Sequence, residues 1–344
     1  MELTAPPPVT RRRTPTGVPA DAGRGRWLIG VGAVVVVFAL VTAYWSHHVG
    51  VPVRDPGGAM FLRRLPSAVV LFGLLAVADA ALRAPAGQRF RDTLATLRAR
   101  WPRERLVVAL GGLVAYHVVY LCYRNMKSWN AFRDLKDTEL LRLDRALFGG
   151  HDPGALLHSV LGQHWAAYAL MVFYKAFTYL VPLSVVASLV FLDRLRDGYV
   201  FLVAAMWVWI LGVASYYLAP SLGPYVSDAP DFAGLPHTAI TSTQAEYLTE
   251  RAHMLAHPQA SDAFVSLGAF ASLHVAFTCL VFLMVRHYGF ARLTRVMGVY
   301  LVLVMVATVY LGWHYFVDDV AGLVIAATAV GLGRLMVYPT GRPD

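Results

Sequence analysis

Residues 199–218 read YVFLVAAMWVWILGVASYYL, twenty positions without one charged side chain. Wound as a helix, such a run is about 30 Å long, the thickness of a bilayer's hydrocarbon core. Comparable runs occur near residues 27–45, 66–83, 105–122, 164–191, 264–285, 295–313 and 320–337. The sequence therefore predicts an all-α polytopic membrane protein with about eight transmembrane helices. Composition agrees, because 57% of the residues are hydrophobic and only 15% are charged, against about a quarter charged in soluble domains. The spans follow one another without a linker, so one membrane domain is expected.

The net charge of +9 does not argue for nucleic acid. Most arginines sit in short segments beside apolar runs, where positive charge fixes membrane orientation. Residues 1–26, rich in Pro, Ala, Gly and Arg, read as a disordered basic tail. The run at 27–45 has no small-residue cleavage site and reads as a retained helix. Eight spans place both termini on one side. Arg11, Arg12, Arg13, Arg24 and Arg26 precede the first span, and Arg89, Arg91, Arg98, Arg100, Arg103 and Arg105 follow the second, which makes that side the cytoplasm. Arg194 and Arg196, then Arg286, Arg292 and Arg295, mark two further inner connections. The opposite side carries residues 123–163, mixed in charge, and 219–262, where Arg251 is the only Lys or Arg. A multi-pass protein of the plasma membrane is expected. Cys122 and Cys279 lie in apolar runs without metal or disulfide spacing and read as small buried hydrophobes.

Within the first outer segment, DLKDTELLRLDRALFG (134–149) places Leu135, Leu140, Leu141, Leu143 and Leu147 on one helical stripe, as in a helix lying on a membrane surface. Gly149, Gly150, Pro153 and Gly154 end it, and a second short helix is expected from Ala155 to Leu161.

Two places present polar groups from different spans on one face of the membrane: Ser272-Leu273-His274, and Trp313-His314-Tyr315-Phe316-Val317-Asp318. With helical backbone, Asp318 lies on the same face as His314 and can hold its imidazole in one tautomer. The free ring nitrogen is then a competent nucleophile or base, and His274 can act as general acid. Asp319 lies about 140° around the helix from His314 and is assigned to capping. Taken singly, these residues are weak signals. The chain has 12 histidines, of which His47, His48 and His117 read as interfacial, and acidic residues at a helix start need no catalytic meaning.

The flanking residues add a resemblance. SLHVAF (272–277) followed by YLGWHYFVDDVAG (310–322) resembles the second and third motifs of the type 2 phosphatidic acid phosphatase superfamily. SLH, the HY of motif three, and LDRALFGGHDPGALLHSVL (143–161) are most similar to its inositolphosphotransferase branch, that of inositol phosphorylceramide synthases. The likeness covers most of residues 105–337. It implies a six-helix core at 101–338, preceded by two added helices and a basic loop at 27–100 and followed by a tail at 339–344. It also implies that His314 forms a phosphohistidine, Asp318 orients it and His274 protonates the leaving oxygen, without metal or other cofactor. The partners implied are a membrane lipid phosphate and a lipid or sugar hydroxyl acceptor, or water.

Two departures bear on the substrate. The motif-three Ser-Arg positions hold Ala307 and Thr308, which favours transfer chemistry on a phosphodiester. Motif one falls on residues 216–224, YYLAPSLGP, without Lys or Arg. There Pro and Gly can turn the chain and present backbone amides to a phosphate, making Tyr217, Ser221 and Gly223, with Ser272, candidate substrate contacts. Lys175, inside a span, is the first candidate for the missing cation, with Arg124, Lys127 and Arg133 as rivals. The loop at 219–262, with Tyr225, Phe232, Leu235, His237 and Tyr247, is expected to cover the site. A phosphotransferase is the leading expectation and a lipid phosphatase the alternative. A transporter would scatter charge through mid-membrane, whereas here the polar motifs gather at one surface. A non-catalytic scaffold and haem ligation by the two histidines rank lower.

Overall fold

The structure, a computed structural model, describes residues 25–84 and 89–339. Most of the expected tail at 1–26, and all but the first residue of that at 339–344, lie outside them. The described residues form helices and connections without a strand. In chain order these are α1 (Arg26–Val49), α2 (Leu65–Arg83), α3 (Arg89–Arg100), α4 (Arg103–Trp129), α5 (Asp137–Leu147), α6 (Pro153–Leu161), α7 (Trp165–Phe191) and α8 (Leu195–Leu218). The single-turn helices α9 (Pro224–Ser227) and α10 (Ala229–Phe232), then α11 (Ala239–Ala256), α12 (Leu273–His287), α13 (Ala291–Tyr310) and α14 (Phe316–Val337), complete the chain.

Seven of these, α1, α2, α4, α7, α8, α13 and α14, are long and apolar enough to cross a membrane. The eighth expected span, 264–285, is helical only from Leu273, giving a 15-residue α12. The reason lies in its backbone donors. Val265 N bonds Ser128 Oγ, Ser266 N bonds Glu250 Oε2, Phe270 N bonds Ser221 Oγ and Ala271 N bonds Ser215 Oγ. Amides satisfied by other elements leave no helical ladder to close, and Ser272 then caps α12.

α8 is the central post. Its apolar window is 78% buried, against 44% or less for the other spans, and it packs on α4, α7, α12 and α14. Small residues let the helices close: a Cβ on Gly322 of α14 would stand 2.5 Å from the Ser272 carbonyl, so this glycine sets how near the starts of α12 and α14 can come. At the opposite end of the bundle, buried Asp79 of α2 meets Arg83 and Arg100, each at 2.7 Å. Both arginines reach Asp193. Arg100 and Arg105 also donate to carbonyls of residues 190, 192 and 193 at the C-terminal end of α7. This network locks α2 and α3 to the core.

α5 and α6 form where expected, but the buried stripe of α5 differs. Leu140 and Leu141 are buried together with Asp137 and Asp144, while Leu135, Leu143 and Leu147 are exposed. The buried face is the heptad set 137, 140, 141 and 144, and two of its members are carboxylates. The loop expected at 219–262 holds α11, an 18-residue helix started by Thr238.

Candidate active site

The α13–α14 connection carries the first half of the site. His314 sits in non-helical backbone before α14, so its pairing with Asp318 does not come from shared helical phase. Asp318 is the third residue of α14, and its Oδ2 turns back to accept from the Tyr315 amide at 3.1 Å and from His314 Nδ1 at 3.3 Å. One carboxylate thus caps the helix and holds the imidazole, and the capping expected of Asp319 belongs to Asp318. Asp319 instead accepts from the Thr308 hydroxyl at 3.0 Å. Both acids are fully buried, and Asp318 Oδ1 has no partner among the described residues. Burial first, and then the Lys127 ammonium, push His314 down to about 3 against a smaller opposing effect of the Ala269 carbonyl. The imidazole meets the Asp318 carboxyl through Nδ1.

α12 carries the second half. The Ser272 amide donates to the Asp318 carbonyl at 3.0 Å, tying the two motifs together. His274, two residues on, faces His314 with ring centroids 6.3 Å apart, near enough for one bound group to touch both. α7 supplies its walls: Tyr174 stacks on the His274 ring at 4.2 Å and Phe177 lies at 4.1 Å. Trp313 continues this surface, stacked on Tyr174 and flanked by Tyr225 and Tyr247. Tyr225 and Tyr247 of the 219–262 segment therefore pack against the residue just before His314. Phe232 packs instead on His158.

α5 braces the motifs from outside. Asp144 accepts from the amides of Phe316 and Val317 at 2.6 and 3.1 Å, a second cap on α14. Asp137 accepts from the amides of Leu222 and Gly223 and from the Tyr315 hydroxyl. Burial raises both carboxyls, Asp144 to about 6. The motif-one amides suggested by the sequence as a phosphate nest thus hold an internal carboxylate. Gly223 has φ of 108°, and a Cβ there would meet the Trp313 carbonyl at 2.5 Å, so this turn accepts glycine alone.

The other expected contacts are placed as follows. Tyr217 donates to the Met126 carbonyl, and Ser221 accepts from the Phe270 amide while its carbonyl takes the Ala269 amide. Both join elements near the site. Lys175 is exposed on α7, one residue from Tyr174 but on another face, and Arg133 is also exposed. Lys127 is placed differently: its Nζ lies 5.4 Å from the Tyr216 ring centroid, and its charge is felt at both His274 and His314. Next to it, a cavity of about 460 Å³ is lined by Arg124, Glu246, Glu250, His253, Asp262 and Phe264, among others. His274 and His314 do not line it, and Arg124 and Glu250 are the charged neighbours it shares with Lys127. Among the described residues no cluster of three His, Cys, Asp or Glu is arranged to hold a metal ion. Sequence reading missed the roles of Asp137 and Asp144, whose signal was two acids seven apart with Leu140 and Leu141 between them.

A family model described as PAP2 superfamily matches residues 138–332, from α5 into α14, so that both motifs lie inside the match and α4 outside it. No curated protein and no solved structure matches the chain.

Proposed function

Because the chain belongs to the PAP2 superfamily, whose members are phosphatases and phosphotransferases, we propose that it transfers a phosphate-linked lipid head group at the outer membrane face through a phosphohistidine. The type is that of inositol phosphorylceramide synthase, with a six-helix core made of α4, α7, α8, α12, α13 and α14. The observation that carries this reading is the His314–Asp318 pair facing His274 across 6.3 Å. With His274 protonated by the negative charge of the phosphate bound against it, His314 Nε2 attacks phosphorus, the bond from phosphorus to the leaving oxygen breaks, and His274 delivers its proton to that oxygen. His274, now neutral, takes the proton of the acceptor hydroxyl as this oxygen attacks, and the N–P bond breaks to return His314. Asp318 keeps Nδ1 protonated and stabilises the imidazole as charge develops.

Hydrolysis differs only in the acceptor, and the adjacent open cavity gives water a place to approach. The test is to incubate detergent-purified protein with phosphate-labelled lipids, including phosphatidylinositol with and without ceramide or diacylglycerol. A new phosphorylated lipid that disappears in His314→Ala supports transfer. Free phosphate or a soluble phosphorylated head group supports hydrolysis. Turnover that survives in His314→Ala removes the phosphohistidine.

A further inference from the structure

A phosphate bound between His274 and His314 brings negative charge to an end of the bundle that already buries the carboxyls of Asp137, Asp144, Asp318 and Asp319. A cation is needed, and the motif positions supply none. Around this end of the bundle most positive side chains are engaged. Arg145 pairs with Asp228 and Lys136 with Glu139. Arg54 donates to the carbonyls of Ala263 and Pro258, and Arg251 to that of Ala131. Lys175 and Arg133 point away from the histidines' enclosure, being exposed. Arg142 is likewise exposed, on α5, and Arg124 and Lys127 remain, one turn apart on α4. Arg124 lies over the Phe264 ring at 4.7 Å, at the cavity wall.

We propose that Lys127 binds the transferred phosphate, supplying from α4 the positive charge that motifs one and three lack. The inference rests on the phosphohistidine reading and gives it the residue that touches the phosphoryl oxygens. Among the described residues Lys127 has no carboxylate within 4.0 Å. Glu250, its nearest acidic neighbour, already accepts from the Ser266 amide. A cation held in a low-dielectric bundle without a counter-charge is costly, unless an anionic ligand completes it. The surroundings also keep it aimed. Its stem passes Gly268, where a Cβ would stand 3.3 Å from Lys127 Cε, and the face of Tyr216 lies under the ammonium. A single ammonium matches the one negative charge of a phosphodiester better than the two of a phosphomonoester, so diester lipids are the substrate class this site suits.

The test compares wild type, Lys127→Gln, Lys127→Arg and His314→Ala in detergent. It reads KM and kcat on labelled phosphatidylinositol and phosphatidic acid, and the rise in unfolding temperature caused by inorganic phosphate relative to chloride at equal ionic strength. Lys127→Gln is expected to raise KM roughly ten- to a hundredfold, the loss of one charged hydrogen bond, and to abolish the phosphate-induced rise. Lys127→Arg restores most of both. His314→Ala keeps the rise while losing turnover. A Lys127→Gln protein with unchanged KM and an unchanged response to phosphate overturns the assignment, as does a wild type that does not respond to phosphate at all. Turnover retained in His314→Ala alongside a lost phosphate response in Lys127→Gln instead sinks the phosphohistidine and leaves the anion site standing.

Discussion

The two ends of the bundle both bury carboxylates and neutralise them in opposite ways. At the end away from the histidines, Asp79 is held between two guanidinium groups that also share Asp193, and acid and base are matched within the network. At the site end, Asp137, Asp144, Asp318 and Asp319 are held by backbone amides, hydroxyls and an imidazole, with no Lys or Arg in ion-pair contact among the described residues. The nearby cation, Lys127, stands apart from them. A closed network needs nothing further and reads as structure. An open one, with acids that orient and a base left free, is the arrangement that chemistry requires.

The sharpest way to break that contrast is Asp318→Asn. Its amide can donate to His314 Nδ1 and so place the ring proton on Nε2, the nitrogen that attacks in the proposed mechanism. Turnover of the labelled lipid is expected to fall about 10²- to 10⁴-fold, by analogy with the orienting carboxylate of a triad, with the unfolding temperature checked in parallel. Activity within a few-fold of wild type would mean that the site-end carboxylates serve packing alone.

The matching probe at the other end is Asp79→Asn. It leaves Arg83 and Arg100, which keep the exposed Asp193, without the buried acid between them, and is expected to cost about 1.5–3 kcal/mol of stability, the loss of a charged hydrogen bond. Turnover per folded molecule should be unchanged, because the network does not touch the histidines. Denaturant titration paired with active-site counting separates the two effects. A fall in kcat of the folded fraction would show that the ends are coupled through α7, which runs from the network to Tyr174 and Phe177.

The apolar runs told the fold well because hydropathy reports directly on what a bilayer demands of a helix. The one shortened span, α12, was misjudged because Val265, Leu267, Ala269 and Ala271 look membranous while the amides of Val265, Ser266 and Ala271 are taken by side chains of α4, α11 and α8, which no local pattern records. His274, His314 and Asp318 were legible as a constellation, yet the pair forms through a helix cap and not through helical phase. The cation was not legible in rank. Lys175 stands out in the sequence as the lone charge in a span, but its direction depends on where α7 turns its face. The braces Asp137 and Asp144 were hidden because their partners are amides more than 80 residues away.

The gentlest probe is Asp144, where the comparison can be read as a pH dependence. Its carboxyl rises from the ordinary 3.8 to about 6, chiefly by burial, with Asp152 adding and the Phe316 and Val317 amides opposing. An acid that binds its proton more tightly in the folded protein makes stability fall as pH rises through the window from about 4 to about 6. The loss is on the order of 2–3 kcal/mol and levels off above that. Asp144→Asn cannot titrate, so the stability of wild type relative to this variant should decline across the window, measured by unfolding in one detergent at pH 4, 5, 6 and 7. A relative stability that increases with pH would mean that the negative charge at the start of α14 is welcomed by the helix dipole more than burial penalises it. The site end would then compensate its carboxylates by dipoles as fully as the other end does by arginines, and the contrast would narrow to Lys127 alone.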